Sequence, residues 1–424
     1  MIGRKSLCMA VLSLVVLTAA PAYAQKIVHL HDTVHRASWT NWLNIAKAEF
    51  EALHPGVEVE IIGVIRAEQV DKIAVMYASG ILPDVIEVFP ATHYQFVQRG
   101  FFLPLNQFVE NDPDVSWDKF YPPAVEAARI APDDPNGGDF WMLPTSVWTL
   151  IYAFNHDRFL PLGVEVPSSW DRHWTWDDLL DIGKKLTRYG PDGSVTQYAI
   201  EINSTNDRTL VWLHNGGGWP FDRYVDPTAS RLNDPATRRA VEFLEDVWQH
   251  SRIARGGNYA SAPMAITLAG PDYTSGHQRA GSTHTWSFGL NPRNVAGGSE
   301  NVTVGFALSP QSEHLDIAWE WIKFLATGPG ATEHINVTGR PVPWQPLADA
   351  WMEQFDRPTG WEHLFLVAIA SPESYERPVI PNELHQIYQD AIRQVYMGTA
   401  PAAVALEQAH DRAQAFFRQQ AQGS

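Results

Sequence analysis

His29, His31 and His35, with Asp32 between them, form the one local cluster in the chain with the makings of a metal site, because imidazole nitrogens and a carboxylate are ordinary zinc ligands. On a strand, His29 and His31 would share a face. A second reading packs one histidine within the strand and leaves His31, Asp32 and His35 to line a polar cleft at its carboxyl end, where open α/β sheets bind ligands. The 17 tryptophans give a further signal through their placement. Trp42, Trp248 and Trp319 fall on apolar helix faces and read as core. Trp141, Trp148, Trp174, Trp219, Trp286 and Trp344 stand beside Gly, Pro, Asn or Ser at loops and strand ends, where binding residues concentrate. A flat indole matches the apolar face of a pyranose, and neighbouring Asp, Asn, His and Arg can hold its hydroxyls, so the mixture suits a sugar cleft; such tryptophans also plug lobe edges.

Motifs for bond chemistry are missing from the sequence: it has no HExxH, no GxSxG, no phosphate loop ending in Gly-Lys-Ser/Thr and no GxGxxG. The run Asn215-Gly216-Gly217-Gly218-Trp219 is too short and too aromatic for a dinucleotide fingerprint and reads as a turn or a loop approached closely by a ligand. No catalytic residue, cofactor or metal is expected, and the cleft reading is carried forward.

The elements that must position these residues come from 424 residues, 45% hydrophobic and 19% charged, enough for two or three globular domains. With 31 basic against 48 acidic residues the net charge is −17, which excludes nucleic acid and anionic membrane surfaces as natural partners. Arg4 and Lys5, an apolar run over residues 7–17 and Ala22-Tyr23-Ala24 form a signal peptide with cleavage expected before Gln25. The sole cysteine, Cys8, lies in that run without the surroundings of an acylation site, so a free periplasmic monomer held together by burial is expected, with no membrane insertion.

Residues 26–32 read as a strand, and Trp39, Trp42, Leu43, Ala46, Phe50 and Leu53 then recur at helical spacing. A strand over 57–62, a helix with Val70, Ile73, Ala74, Tyr77 and Ala78 on one face, and a strand over 85–89 complete two α/β units, which predicts a parallel sheet. A Pro-, Asp- and Gly-rich stretch over 111–138 marks the end of a lobe. Beyond it come one strand over 147–154, a helix capped by Thr175 and Asp178 and running to Gly190, and a helix opened by Asp234-Pro235. A strand over 303–308, an amphipathic helix closed at Gly328 and a helical tail from Glu383 follow.

In this order the segments AKAEFEALHPGVEVE (46–60), SGILPDVIEV (79–88), WMLPTSVWTLIYAFNHDRF (141–159), TWDDLLDIGKKLT (175–187) and AWEWIKFLATG (318–328) resemble the family 1 extracellular solute-binding proteins, the sugar-binding components of bacterial ABC importers. The resemblance spans nearly the whole mature chain. It implies an α/β fold of two lobes, the type II periplasmic-binding-protein fold, with the ligand cleft between lobes and strands crossing near 145–152 and 286–304. The N-terminal lobe would take residues 25–140 and 295–338, and the C-terminal lobe 141–294 and 339–424. Carried over position by position, the resemblance puts ligand contacts at His31, Asp32, His35 and Trp39, at Glu87 and Phe89, at Trp148, at Asn215 and Gly217, at Asp272 and Tyr273, at Trp286 and at Arg340. The sequence departs from the family where Ala260-Ser261-Ala262-Pro263 replaces a Phe-x-x-Gly-Lys element, ahead of Asp272, Tyr273 and Trp286.

The function implied is capture of a carbohydrate, from a monosaccharide to a short oligosaccharide or derivative, by hinge closure and its delivery to an ABC permease. The alternatives are a secreted carbohydrate-active enzyme, whose paired carboxylates sequence alone does not exclude, or the same receptor fold serving a glycerol phosphate ester or a polyamine.

Overall fold

The computed structural model describes residues 25–33, 37–129, 138–165, 174–204, 206–255, 264–271, 285–354 and 362–423. Among these, the strands follow as β1 (Gln25–Asp32), β2 (Val57–Val64), β3 (Val85–Val88), β4 (Leu143–Thr149) and β5 (Ile151–Asn155). After them come a hairpin of β6 (Arg188–Tyr189) and β7 (Val195–Gln197), then β8 (Ile200–Glu201), β9 (Ala254–Arg255), β10 (Ile266–Ala269), β11 (Trp286–Gly289), β12 (Glu300–Leu308) and β13 (Tyr375–Glu376).

The opening behaves as its periodicity predicts. β1 pairs in parallel with β2 and β3, and the helices Ala37–Leu53 and Arg66–Ala78 form the crossovers. The first of these buries Trp39, Trp42, Leu43, Ala46 and Phe50, one stripe of a 3.6-residue repeat. The parallel run does not extend across the sheet, however. β12 returns antiparallel to β3 and carries β4 antiparallel and β13 parallel, so the first sheet is mixed, with the order β13-β12-β3-β1-β2. A second mixed sheet has the order β11-β5-β10-β8-β9.

The strand expected over 147–154 is two strands in different sheets, with Leu150 between them: β4 pairs with β12, and β5 lies between β10 and β11. β5 is buried throughout and β4 nearly so. Strands covered on both faces show no polar alternation to mark where one ends. The chain passes between sheets again from β11 to β12, and a third time after β13 into the helix Asn382–Met397. The architecture is a two-lobe α/β fold.

Each lobe has its own core. Trp42, Phe50, Phe306 and Trp321 lie in one, and Trp212, Leu244 and Tyr388 in the other. The lobe limits differ from the expected ones in two places. β4 belongs to the first sheet although it lies beyond residue 140, and Val342, Trp344, Trp351 and Phe365 pack in the first core rather than the second. Two helix ends also differ. The helix opened by the Thr175 capping box stops at Leu186, because Thr187 is extended and leads into β6, and the tail breaks at Gly398, whose φ of 67° ends one helix before Ala402–Gly423 begins.

Candidate functional site: the cleft between the lobes

Parallel pairing brings the carboxyl ends of β1 and β3 together, and with them His31, Asp32 and Glu87. His31 Nδ1 lies 2.7 Å from Glu87 Oε2, and the same oxygen accepts the Asp32 backbone N–H at 3.0 Å. The second ring nitrogen of His31 sits 3.0 Å from Thr40 Oγ1. Arg66, at the head of the second crossover helix, donates from Nε to Asp32 Oδ2 at 2.5 Å and lays its guanidinium 4.5 Å from the centre of the Phe89 ring. His31, Asp32 and Glu87 are all within a few per cent of full burial. They tie the strand ends together and hold Arg66 over Phe89.

Where the chain changes sheets, Glu300 at the start of β12 is clamped by two arginines. Arg208 Nη1 donates to one carboxylate oxygen at 2.7 Å and Arg377 Nε to the other at 2.8 Å. Arg208 also stacks on Trp148, 4.6 Å from its ring centre, and Arg377 lies 6.0 Å from the centre of the Phe89 ring. Charge-assisted bonds of this kind fix side-chain geometry as well as adding energy. Beside Arg377, Glu376 has Thr303 N and Oγ1 each 2.7 Å from its carboxyl oxygens, and burial pushes its pKa up to about 8.

Two cavities of about 660 Å³ each open on either side of residues 377–379. The first is walled by Pro90, Pro122 and Pro123 from one lobe and by His214 and Tyr224 from the other, with Tyr375 and Glu376 from β13. The second runs from Phe89, Tyr94 and Gln95 to Asp226, Asn382 and His385. Arg377 and Val379 line both. The segment is tied to each lobe by its backbone: Arg377 N–H donates to Asn301 O, Val379 N–H to Tyr224 O, and Asp226 N–H to Val379 O. In the first cavity, His214 Nε2 donates to Glu373 O at 2.7 Å, which leaves Nδ1 to accept from the Tyr224 hydroxyl at 3.0 Å. Burial lowers the His214 pKa and favours that neutral form. Tyr224 in turn stacks on Trp219 at 4.2 Å, so the wall is a braced aromatic surface.

Of the residues expected at the cleft, Phe89 lines the second cavity and His31, Asp32 and Glu87 stand behind it. Trp148 lies under Arg208, partly buried, and Trp286 is partly buried on β11, paired opposite Asn155. Trp39, expected as a ligand contact at the start of its helix, is 1% exposed and packs in the first core, edge-on to Trp42 and His334, with the Arg340 guanidinium 5.6 Å from its ring. Asn215 is also buried, and its amide holds Gly298 through N–H and C=O together, so the Gly-rich loop anchors the second crossing. Gly217 has φ of 76° with Val295 closely over it, a conformation that L residues rarely adopt. His35, Asp272 and Tyr273 lie outside the described residues.

His29 packs in the first core: Trp321 Nε1 donates to its Nδ1 at 3.0 Å, its ring lies edge-on to Phe306, and burial lowers its pKa to about 3. Among the described residues no group of three or more His, Cys, Asp or Glu side chains is placed to hold a metal ion. Of the six tryptophans read as loop residues, Trp141, Trp174 and Trp344 are buried; Trp174 Nε1 donates to Leu290 O, which places it in the packing between lobe elements. Arg66, Arg208, Tyr224 and Arg377 were not anticipated. The one available signal was Arg377-Pro378-Val379-Ile380-Pro381, a proline-spaced segment ahead of the tail helix.

Comparison with known proteins places this geometry in context. Residues 36–331 match the family model described as bacterial extracellular solute-binding protein. Among solved structures, the sugar-binding protein MalE of Xanthomonas citri is similar with a TM-score of 0.76 at 15% identity, over 93% of this chain and 98% of that one. The cyclic α-maltosyl-1,6-maltose binding protein of Arthrobacter globiformis gives 0.74 at 16% identity, over 93% and 99%. An ABC substrate-binding protein of Listeria monocytogenes in complex with cycloalternan gives 0.72 at 18% identity, over 91% and 97%. No curated protein sequence matches. No helix among the described residues is long and apolar enough to cross a membrane.

Proposed function

The chain belongs to the bacterial extracellular solute-binding proteins, and on that premise we propose that it is the carbohydrate receptor of an ABC importer, exported by a signal peptide cleaved before Gln25 and working as a periplasmic monomer. It makes and breaks no bonds: the ligand enters the cleft, the lobes close on it about the three crossings, and the closed form is presented to the permease. The observation that carries this reading is a cleft whose cavity walls come from both lobes and combine aromatic rings with Arg377 and acids. Such walls offer stacking to the face of a sugar and hydrogen bonds to its edge. The structures similar in fold include receptors described with maltodextrin-like and cyclic sugars.

Closure follows from the same geometry. A ligand touching both lobes binds the closed form better, and only that difference shifts the equilibrium. Purified mature protein screened by thermal shift against neutral sugars, sugar phosphates and polyamines should respond to a neutral sugar. A ligand at about 100 times its dissociation constant adds about 2.7 kcal/mol. Tyr224→Ala removes a ring from the wall of the first cavity and should weaken that sugar by roughly 2 kcal/mol, as loss of an anchor ring does in a desolvated site. Stabilisation by a sugar phosphate or polyamine alone would overturn the carbohydrate reading, and a hydrolysed sugar after long incubation would overturn the receptor reading.

A further inference from the structure

We propose that the bound ligand spans both cavities and passes over Arg377, so that the protein selects a chain of linked rings over a single ring and Arg377 is its specificity-determining residue. The inference rests on the carbohydrate reading and adds to it the size of the ligand and the place of its junction. Each cavity measures about 660 Å³. A hexose ring occupies on the order of 200 Å³ at interior packing density, so one ring fills about a third of either cavity and leaves the rest to water. The cavities adjoin, because Arg377 and Val379 line both.

The two sides of that waist differ in a way that suits successive rings of one chain. On one side Pro90, Pro122, Pro123, Tyr224 and Tyr375 present flat apolar surface. On the other Tyr94, Gln95, Asp226, Asn382 and His385 present hydrogen-bonding groups around Phe89. Arg377 is held at the waist from two directions, by Glu300 at 2.8 Å and by the backbone bond of its N–H to Asn301 O. The guanidinium is thereby fixed as a planar polar group at the waist, on the path between the two cavities, where the linkage between successive rings would pass.

Isothermal titration of the mature protein with α-1,4-glucan, β-1,4-glucan and β-1,4-xylan ladders of one to six units tests the proposal. In the ladder that binds, affinity should rise at least 30-fold from one ring to three or four and then level off. Val225→Trp narrows the first cavity and Gln95→Trp the second; both positions are partly exposed, and unfolding midpoints report whether each variant folds. Each block should weaken the longer rungs at least 10-fold. Arg377→Met should remove most of the gain between one ring and three. A single ring that binds as tightly as the longer rungs, or a block in one cavity without effect on a ligand that the other block excludes, overturns the span. An equal loss on every rung in Arg377→Met takes the junction role from Arg377. If no rung of any ladder binds while another compound class does, the carbohydrate reading falls, and this inference with it.

Discussion

Asp32 and Glu87 at the strand ends of the first sheet and Glu201 on the second are all buried carboxyl groups, yet they face different partners. Asp32 has the Arg66 guanidinium at 2.5 Å, and Glu87 accepts a backbone N–H and lies against His31. Glu201, 3% exposed on β8, has the Leu268 backbone N–H as its partner, and burial pushes its pKa up to about 7. Glu376, between the lobes, follows Glu201 and rises to about 8, with Arg377 pulling it down only in part. The contrast is one of partners rather than depth. Glu201, facing only a neutral donor, meets the desolvation cost by holding its proton, whereas Asp32 has a guanidinium in direct contact. Glu300 extends the first pattern to the junction of the lobes, where two arginines from separate parts of the chain share it.

The largest effect expected from breaking this contrast is at Glu300. Glu300→Ala leaves Arg208 and Arg377 facing each other, both mostly buried, with their shared acceptor gone. Removing one partner from a buried ionic cluster costs about 3–5 kcal/mol, and because both arginines keep some solvent the lower end applies. Urea unfolding of the variant should show a loss of about 3 kcal/mol, together with weaker ligand binding because Arg377 loses its brace. A loss below about 1 kcal/mol would mean that the cluster is no more than an exposed pair.

At Glu201 the sign reverses. Its folded pKa, about 7, lies above the ordinary 4.5, so the folded state holds a proton that the unfolded state releases between those values. The stability tied to that proton is therefore fully present below about pH 4.5 and is lost as pH rises through about 7. Glu201→Gln keeps the size and removes the titration. It should leave stability near pH 4.5 little changed and raise it at pH 8 by on the order of 2 kcal/mol, scaled down from the full shift. A difference between variant and parent that is the same at pH 5 and pH 8 would show that Glu201 does not titrate in this range.

These partnerships divide what the sequence makes legible from what it does not. Local patterns carry far: the stripe of Trp39, Trp42, Leu43, Ala46 and Phe50 predicts its helix, the Thr175 and Asp178 pair predicts a cap that forms, and the order of α/β units predicts two lobes. Patterns stop being informative where burial is complete on both faces, which is why the change of sheet at Leu150 leaves no trace in an apolar run. The cavity walls were harder still. Tyr224 and Arg377 are 153 residues apart in number, and nothing near either in sequence shows that Val379 N–H will bond Tyr224 O and bring them side by side. Trp174 and Trp344 mislead for the converse reason: they stand beside loop residues, and distant segments cover them.

The smallest effect expected is at the cap, and it tests whether stability of the second lobe and geometry of the cleft are separable. Thr175 Oγ1 accepts the Asp178 N–H at 3.1 Å, and Asp178 returns a bond to Thr175 N–H at 2.8 Å. Thr175→Ala removes one half of that box, which costs about 1 kcal/mol in typical helices. The helix it opens also receives a tie from the second crossing, since Trp176 N–H donates to Arg293 O, and Arg293 holds Glu373 through two bonds of 2.7 Å. The crossing is thus braced by Glu373 on one side and by Asn215 through Gly298 on the other, and loss of the cap leaves both braces in place. Stability should fall by about 1 kcal/mol, and affinity for the cognate sugar should stay within twofold, because neither Thr175 nor its helix lines either cavity. A fivefold loss of affinity in a variant that remains folded would show that the start of this helix sets the position of the second crossing, and that the cleft depends on local order in the lobe behind it.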